Sequence, residues 1–150
     1  MRAAPGGRFN EGYFIAFQAG VPVRLRSPAR LDITVEQYCR LMPNEGSSGF
    51  LSVVGYVYAF HDDDGREVLA YHRHPAVESA AYPHLHLGHG AVRAQILEQA
   101  GLTPAHNALR PDLAGAHLPT AEVTLTQVLR MAIEQFGVEP RRNDWASILR

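Results

Sequence analysis

Residues 50–74 read FLSVVGYVYAFH-DDDG-REVLAYHRH, and they contain the strongest β-strand signal in the chain. The first segment, residues 50–61, is rich in Val, Tyr and Phe, the residue types that β-strands favour. An acidic turn follows, in which Gly65 supplies the positive backbone φ that tight hairpin turns favour. The returning segment, residues 66–74, alternates its side chains between two faces. The stretch therefore predicts an antiparallel β-hairpin, with Gly55 marking a bulge in the first strand.

Shorter elements are predicted on both sides of this hairpin. Residues 13–17 and 21–26 predict a second hairpin, and residues 84–87 predict a further strand. A capping box of the Thr-x-x-Gln form begins a predicted short helix over residues 34–42. Cys39 falls within this helix, and we expect it to be a small buried apolar residue.

The C-terminal part of the chain is predicted to be helical. Apolar residues repeat at helical spacing over residues 125–136, and Gly137 ends that helix. A helix is also predicted over residues 91–100, then a linker over residues 102–120, and a short helix carries Trp145. This order of elements predicts an α+β fold, with an antiparallel β-sheet of about five strands, helices packed on one face and further helices at the C-terminus.

Composition and charge limit which class of protein this chain can belong to. Of the 150 residues, 46% are hydrophobic and 19% charged, as in an ordinary globular domain. We therefore expect a single domain over residues 1–150, with a loose N-terminal tail over residues 1–10. The net charge of -1 gives no general attraction to nucleic acid. We expect a cytoplasmic protein, because we find no membrane-spanning apolar run, no secretory signal and only one cysteine.

Histidine is concentrated in one part of the chain. Six of the eight histidines lie within residues 61–89, and four of them form two His-x-His pairs, at residues 72–74 and 84–86. Side chains alternate along a strand, so each pair places both imidazoles on one side of a sheet. The two pairs are therefore predicted to face one shared cleft.

The first chemistry that this cleft suggests is acid–base catalysis. Two histidines placed across a phosphodiester can divide the roles of general base and general acid, and no metal or other cofactor is needed. The predicted catalytic residues are His72, His74, His84 and His86. The predicted substrate-binding residues are Arg73, Tyr71 and His89. An arginine at the site would meet the negative charge that develops on the phosphate.

A metal site is an alternative use of the same histidines. Zn or Fe takes two or three imidazoles together with a carboxylate. The spacing His72-x-His74-x-x-x-Glu78 resembles the first ligand stretch of the cupins. That resemblance implies a Zn or Fe site at His72, His74 and Glu78, which His84 or His86 would complete.

A longer motif surrounds the two pairs. An aromatic strand reaches an acidic turn, then Tyr71-His72-Arg73-His74-Pro75, a short spacer and Tyr82-Pro83-His84-Leu85-His86. This region, residues 58–87, together with the C-terminal helix, resembles the small TumE-like toxins of bacterial toxin–antitoxin systems. In those proteins a strand reaches a His-His-Pro element, and a Pro-His-His-x-His element follows. The resemblance implies a toxin-like role, cleavage of RNA and control by a cognate antitoxin-like protein.

Three functions stay open on the sequence alone. The first is a toxin-like component of a toxin–antitoxin pair that acts as a metal-independent ribonuclease. The second is a non-catalytic protein-binding or regulatory module whose histidines shape a surface for a partner. The third is a metal-binding protein of cupin-like chemistry. Outside the two pairs, structural roles are predicted for His61, His106 and His117.

Overall fold

The computed structural model describes residues 2–3, 12–16, 21–44, 47–74, 82–88 and 117–150. Within these residues the chain is an α+β structure, as predicted, in which one antiparallel sheet dominates. The sheet has eight strands rather than about five: β1 (Arg2–Ala3), β2 (Gly12–Ala16), β3 (Val23–Arg24), β4 (Asp32–Asn44), β5 (Ser47–His61), β6 (Glu67–Arg73), β7 (His84–Leu87) and β8 (His117–Pro119). Two helices follow, α1 (Leu125–Phe136) and α2 (Trp145–Ile148).

The predicted hairpin forms the middle of the sheet. The strand order is β1-β2-β4-β5-β6-β7-β8, and β3 pairs with β4 beyond the end of β2. The acidic turn is held by Asp62, whose Oδ1 accepts the backbone N–H groups of Asp64 and Arg66, each at 2.9 Å. Gly65 has a φ of 73°. The register of β5 against β4 shifts next to Gly55, which confirms the predicted bulge.

The segment with the capping-box pattern is a strand, and the predicted helix over residues 34–42 is wrong. It belongs to β4, which pairs with β5 along its length and with β2 over residues 36–40. Ile33 and Val35 are β-branched and buried on one face of this strand. Backbone pairing on both sides therefore outweighs the local capping signal. Cys39 is buried, as expected, but in a strand.

The N-terminal strands also pair differently from the prediction. The predicted hairpin of residues 13–17 with 21–26 does not form, because β2 and β3 each pair with β4. Residues Arg2–Ala3 form β1 on β2, whereas we expect a loose tail there. The first difference follows from the length of β4, which offers one long edge to two short strands.

The C-terminal helix is confirmed. The side chain of Thr124 accepts the backbone N–H of Gln127 at 3.2 Å, and the Gln127 side chain accepts the backbone N–H of Thr124 at 2.8 Å. Gly137 ends α1 with a φ of 64°. The helix buries Val128 and Ala132 in the main core. That core consists of Leu31, Ile33, Val35, Tyr56, Tyr58, Phe60, Val68, Val128 and Ala132.

Strand alternation gives the sheet two chemically different faces. The helix-covered face carries Tyr58 and Phe60 of β5, which pair across from Tyr71 and Leu69 of β6. The opposite face, here termed the histidine face, carries the histidines of β6, β7 and β8. The predicted linker over residues 102–120 ends in β8, which pairs with β7. The predicted helix over residues 91–100 lies outside the described residues.

Phe60 tests the packing of α1 on the sheet. It is 0% exposed, and its ring meets that of Phe136 edge to face at 5.4 Å. We expect Phe60→Ala to lower the free energy of unfolding by about 3–5 kcal/mol, because it removes a large buried side chain. Phe50→Ala, at a position 56% exposed, should change it by less than about 0.5 kcal/mol. Urea denaturation measures both, and equal losses would contradict this core.

Candidate functional site

Three neighbouring strands bring histidines together on the histidine face. His72 of β6 pairs across from His84 of β7, and His86 of β7 pairs across from His117 of β8. The ring centroids of His72 and His84 are 5.5 Å apart. The ring of His117 lies 4.8 Å from His84 and 4.9 Å from His86. His74 adds a ring 5.4 Å from His72. These five residues are termed the histidine cluster.

His84 is the most buried member of the cluster, at 1% exposure. Its Nδ1 contacts the backbone carbonyl of Tyr82 at 3.0 Å. A carbonyl oxygen only accepts hydrogen bonds, so this contact places a proton on Nδ1 and, in the neutral ring, a lone pair on Nε2. The Nε2 atoms of His84 and His72 are buried without a hydrogen-bond partner among the described residues. Two imidazole nitrogens are therefore left for a ligand or a proton.

His86 differs from its neighbours because it has a carboxylate partner. Its Nδ1 contacts Oε1 of Glu67, which lies at the start of β6. Each of these two side chains is 26% exposed, so solvent screens the contact only in part. A carboxylate that accepts a hydrogen bond from an imidazole orients the ring. His86 is therefore the member of the cluster whose ring is held by an acidic side chain.

Two members of the cluster have lowered pKa values. Burial, followed by the charges of His74, His84, His86 and His117, lowers the pKa of His72 from 6.5 to about 4. Desolvation, followed by the charges of His84 and His86, lowers the pKa of His117 as well, and Glu67 opposes that shift. A second positive charge close to the first is disfavoured in both cases. His72 is therefore neutral at pH 7.

The structure separates several residues that the sequence analysis groups with the histidines. Tyr71 lies on the helix-covered face, where its hydroxyl is 3.7 Å from Sδ of Met131. It lines a cavity of about 390 Å³ beside α1. Arg73 is on the same face and pairs with Glu122. Neither side chain reaches the histidine cluster. The other predicted residues, His89 and Glu78, lie outside the described residues.

Two members of the site are not among the predicted functional residues. His117 is interpreted from sequence as structural, yet β8 places it between His84 and His86. Its only sequence signal is the His-x-Pro segment that ends the predicted linker. Glu67 carries no sequence signal, because regular alternation along β6 puts it on the other face. His117 reaches the cluster through the pairing of β8 with β7, and Glu67 reaches it through an irregularity in the pairing of β6 with β5.

The function of this site has to be inferred from its geometry. No family model, no curated protein and no solved structure matches the chain. Among the described residues, no three His, Cys, Asp or Glu side chains are arranged to hold a metal ion. No helix in the same part of the chain is long and apolar enough to cross a membrane. The chemistry of the imidazoles themselves is therefore the starting point.

His72 predicts a loss of stability in mild acid. Its pKa is lower in the folded chain, so the unfolded chain binds more protons as the pH falls from 6.5 to about 4. We expect His72 to contribute a loss of about 2 kcal/mol in the free energy of unfolding over this window, allowing for partial solvent screening. Denaturant midpoints at several pH values measure it. His72→Gln should lack this part of the loss. Identical pH dependence in both proteins would contradict the lowered pKa of His72.

Proposed function

We propose that the chain is the toxin-like component of a bacterial toxin–antitoxin pair and that its histidine cluster cleaves RNA without a metal. The observation that carries this proposal is a pair of unlike imidazoles on one sheet face. His72 is neutral at pH 7, and its ring lies 5.7 Å from that of His86, which contacts the Glu67 carboxylate. Such a pair can supply a general base and a general acid at one site.

The reaction that suits this pair uses the ribose itself as nucleophile. A neutral imidazole removes the proton from the 2′-hydroxyl, and the 2′-oxygen forms a bond to the adjacent phosphorus. The bond from phosphorus to the 5′-oxygen breaks, and an imidazolium donates its proton to that oxygen. The products are a 2′,3′-cyclic phosphate and a free 5′-hydroxyl, and one proton has passed from the acid to the base. DNA lacks the 2′-hydroxyl and cannot react in this way.

The environments of the histidines suggest how these roles divide. His72 and His84 suit the base, because each has a buried Nε2 without a hydrogen-bond partner among the described residues. We assign the acid to His86, because its Nδ1 contacts the Glu67 carboxylate and its Nε2 is the ring nitrogen left to face a substrate. We assign contact with the phosphate to His74 and His117, whose rings lie 5.4 Å from His72 and 4.9 Å from His86 respectively. Arg73 is not available for that contact, since it pairs with Glu122 on the helix-covered face.

The partner and the compartment follow from the toxin role. An enzyme that cleaves cellular RNA acts in the cytoplasm and harms the cell that makes it, so a cognate antitoxin-like protein is expected to hold it inactive. The similarity of residues 58–87 to TumE-like toxins supports this reading. A non-catalytic binding module is the alternative if the cluster only shapes a surface for that protein partner.

A Zn or Fe site is the second candidate, and one observation favours it. Histidines that bind metals usually donate the other ring N–H to a carbonyl or a carboxylate. His84 has such a contact with Tyr82, and His86 has one with Glu67. The Nε2 atoms of both rings would be the nitrogens that bind a metal, with His72 as a third imidazole. The three rings would have to move to do so, because among the described residues they are not arranged to hold a metal ion. A bound metal would supply a Lewis acid and an activated water.

Cleavage of RNA tests the leading proposal directly. We expect the purified chain to cut a labelled RNA oligonucleotide to a 2′,3′-cyclic phosphate and to leave the matching DNA intact. His72→Ala and His86→Ala should each lower the rate by about 100-fold or more, because each removes a proton-transfer group. Glu122→Gln is the control, because Glu122 pairs with Arg73 on the helix-covered face, and it should cut at the native rate.

Growth after induced expression tests the toxin role in the cell. Without a partner protein, the native chain should arrest growth, whereas the His72→Ala, His86→Ala double variant should be harmless. A native chain that neither cuts RNA nor affects growth would contradict the proposal. If that chain instead forms a stable stoichiometric complex with a protein partner, the binding module is the better interpretation.

Elemental analysis separates the two chemistries. For the leading proposal, we expect protein purified without a histidine tag to contain far less than one Zn or Fe per chain and to keep its activity in a chelator. Close to one metal per chain, lost in His84→Ala and kept in Glu122→Gln, would favour the metal site instead.

A further inference from the structure

Glu67 reaches the histidine face because β6 contains a bulge. Phe60 of β5 pairs with Leu69 of β6. The next pair is His61 with Glu67, so Val68 is an extra residue in β6. Regular alternation would place Glu67 with Leu69 on the helix-covered face. The extra residue puts its side chain on the histidine face instead, and bulges often re-aim side chains in this way beside functional sites.

Gly88 holds the end of β7 against this bulge. Its backbone N–H donates to the carbonyl of Val68 at 3.0 Å. A Cβ atom at this position would lie 1.9 Å from the carbonyl oxygen of Glu67, a distance that no real contact allows. Glycine therefore permits the close approach of β7 to the start of β6. The same approach brings His86, two residues before Gly88, beside the Glu67 carboxylate.

The contact between Glu67 and His86 determines which ring nitrogen carries the proton. An ionised carboxylate only accepts hydrogen bonds, so Nδ1 of His86 must be the donor. Nε2 is then the free nitrogen of the ring. It carries a lone pair when the ring is neutral and a second N–H when the ring is charged. The rings of His117 and His72 lie 4.9 Å and 5.7 Å from that of His86.

We propose that Glu67 is a positioning residue, which fixes the orientation and the Nδ1-protonated form of the His86 ring. An acid or base that is oriented by a third group is a recurring arrangement in enzymes. The catalytic consequence of this inference rests on the proposed function. The orientation and the protonated nitrogen of the His86 ring do not rest on it, because both are properties of the folded chain whether or not the protein cleaves RNA.

The ring state can be measured directly in the native chain. Long-range ¹H–¹⁵N spectra of the imidazoles, recorded above pH 7.5, distinguish a proton on Nδ1 from a proton on Nε2. His86→Gln identifies the His86 signals by their loss. We expect the native His86 to carry its proton on Nδ1. A native ring that is protonated on Nε2 would overturn the proposal without any need for a Glu67 variant.

Two substitutions at Glu67 separate positioning from packing. Glu67→Met keeps an unbranched side chain but removes the acceptor, so the His86 proton should move toward Nε2. Glu67→Gln keeps a neutral acceptor and should hold the proton on Nδ1. Glu122→Gln is the matched control, since Glu122 forms an ion pair with Arg73 on the other face. It should leave the His86 signals unchanged, and a Glu67→Met protein with native His86 signals would overturn the proposal.

Kinetics on RNA give the second readout. We expect Glu67→Met to lower kcat by about 10- to 100-fold with KM nearly unchanged, and Glu67→Gln to lie between it and the native chain. Native kcat in Glu67→Met would overturn the role of Glu67 in catalysis. If the native chain cuts no RNA, the proposed function fails, and the spectra alone still decide whether Glu67 positions His86.

Discussion

The packing of the β5 aromatic side chains against α1 fixes which face of the central sheet is buried. Tyr58 and Phe60 are nearly or completely buried and lie in one core with Val128 and Ala132 of the helix. This contact fixes which face of β5 points toward the helix. Because the strands on either side pair with β5 in register, the same choice is imposed on β4 and β6. A slip of one residue would exchange the two faces along the whole sheet.

The histidine cluster is a consequence of that choice. Once Leu69 and Tyr71 of β6 face the helix, His72 must point to the other side, and pairing carries the rule to His84 of β7. Crowding imidazoles in this way costs stability, since the rings disfavour one another's charge. A buried nitrogen without a hydrogen-bond partner adds a cost of roughly 1–3 kcal/mol.

The members of the histidine cluster have different surroundings. One ring contacts a carboxylate, one donates to a backbone carbonyl, and one is held neutral by burial and by its neighbours. Histidines of identical covalent structure therefore differ in burial and in hydrogen-bond partner within one cluster.

Local sequence patterns are sufficient to predict the central hairpin, the C-terminal helix and the shared face of the two His-x-His pairs. Each of these follows from a local rule: turn chemistry at Gly65, helical spacing and capping around Leu125–Phe136, and alternation along β6 and β7. That residues 34–42 form a strand depends on tertiary pairing, because pairing on both edges of β4 outweighs a local capping signal. Tertiary pairing also decides that His117 and Glu67 join the cluster. His117 joins it because β8 pairs with β7, which lies about thirty residues earlier in the chain. Glu67 joins it because one extra residue in β6 moves its side chain to the other face of the sheet. A search for regular alternation or helical spacing detects neither effect.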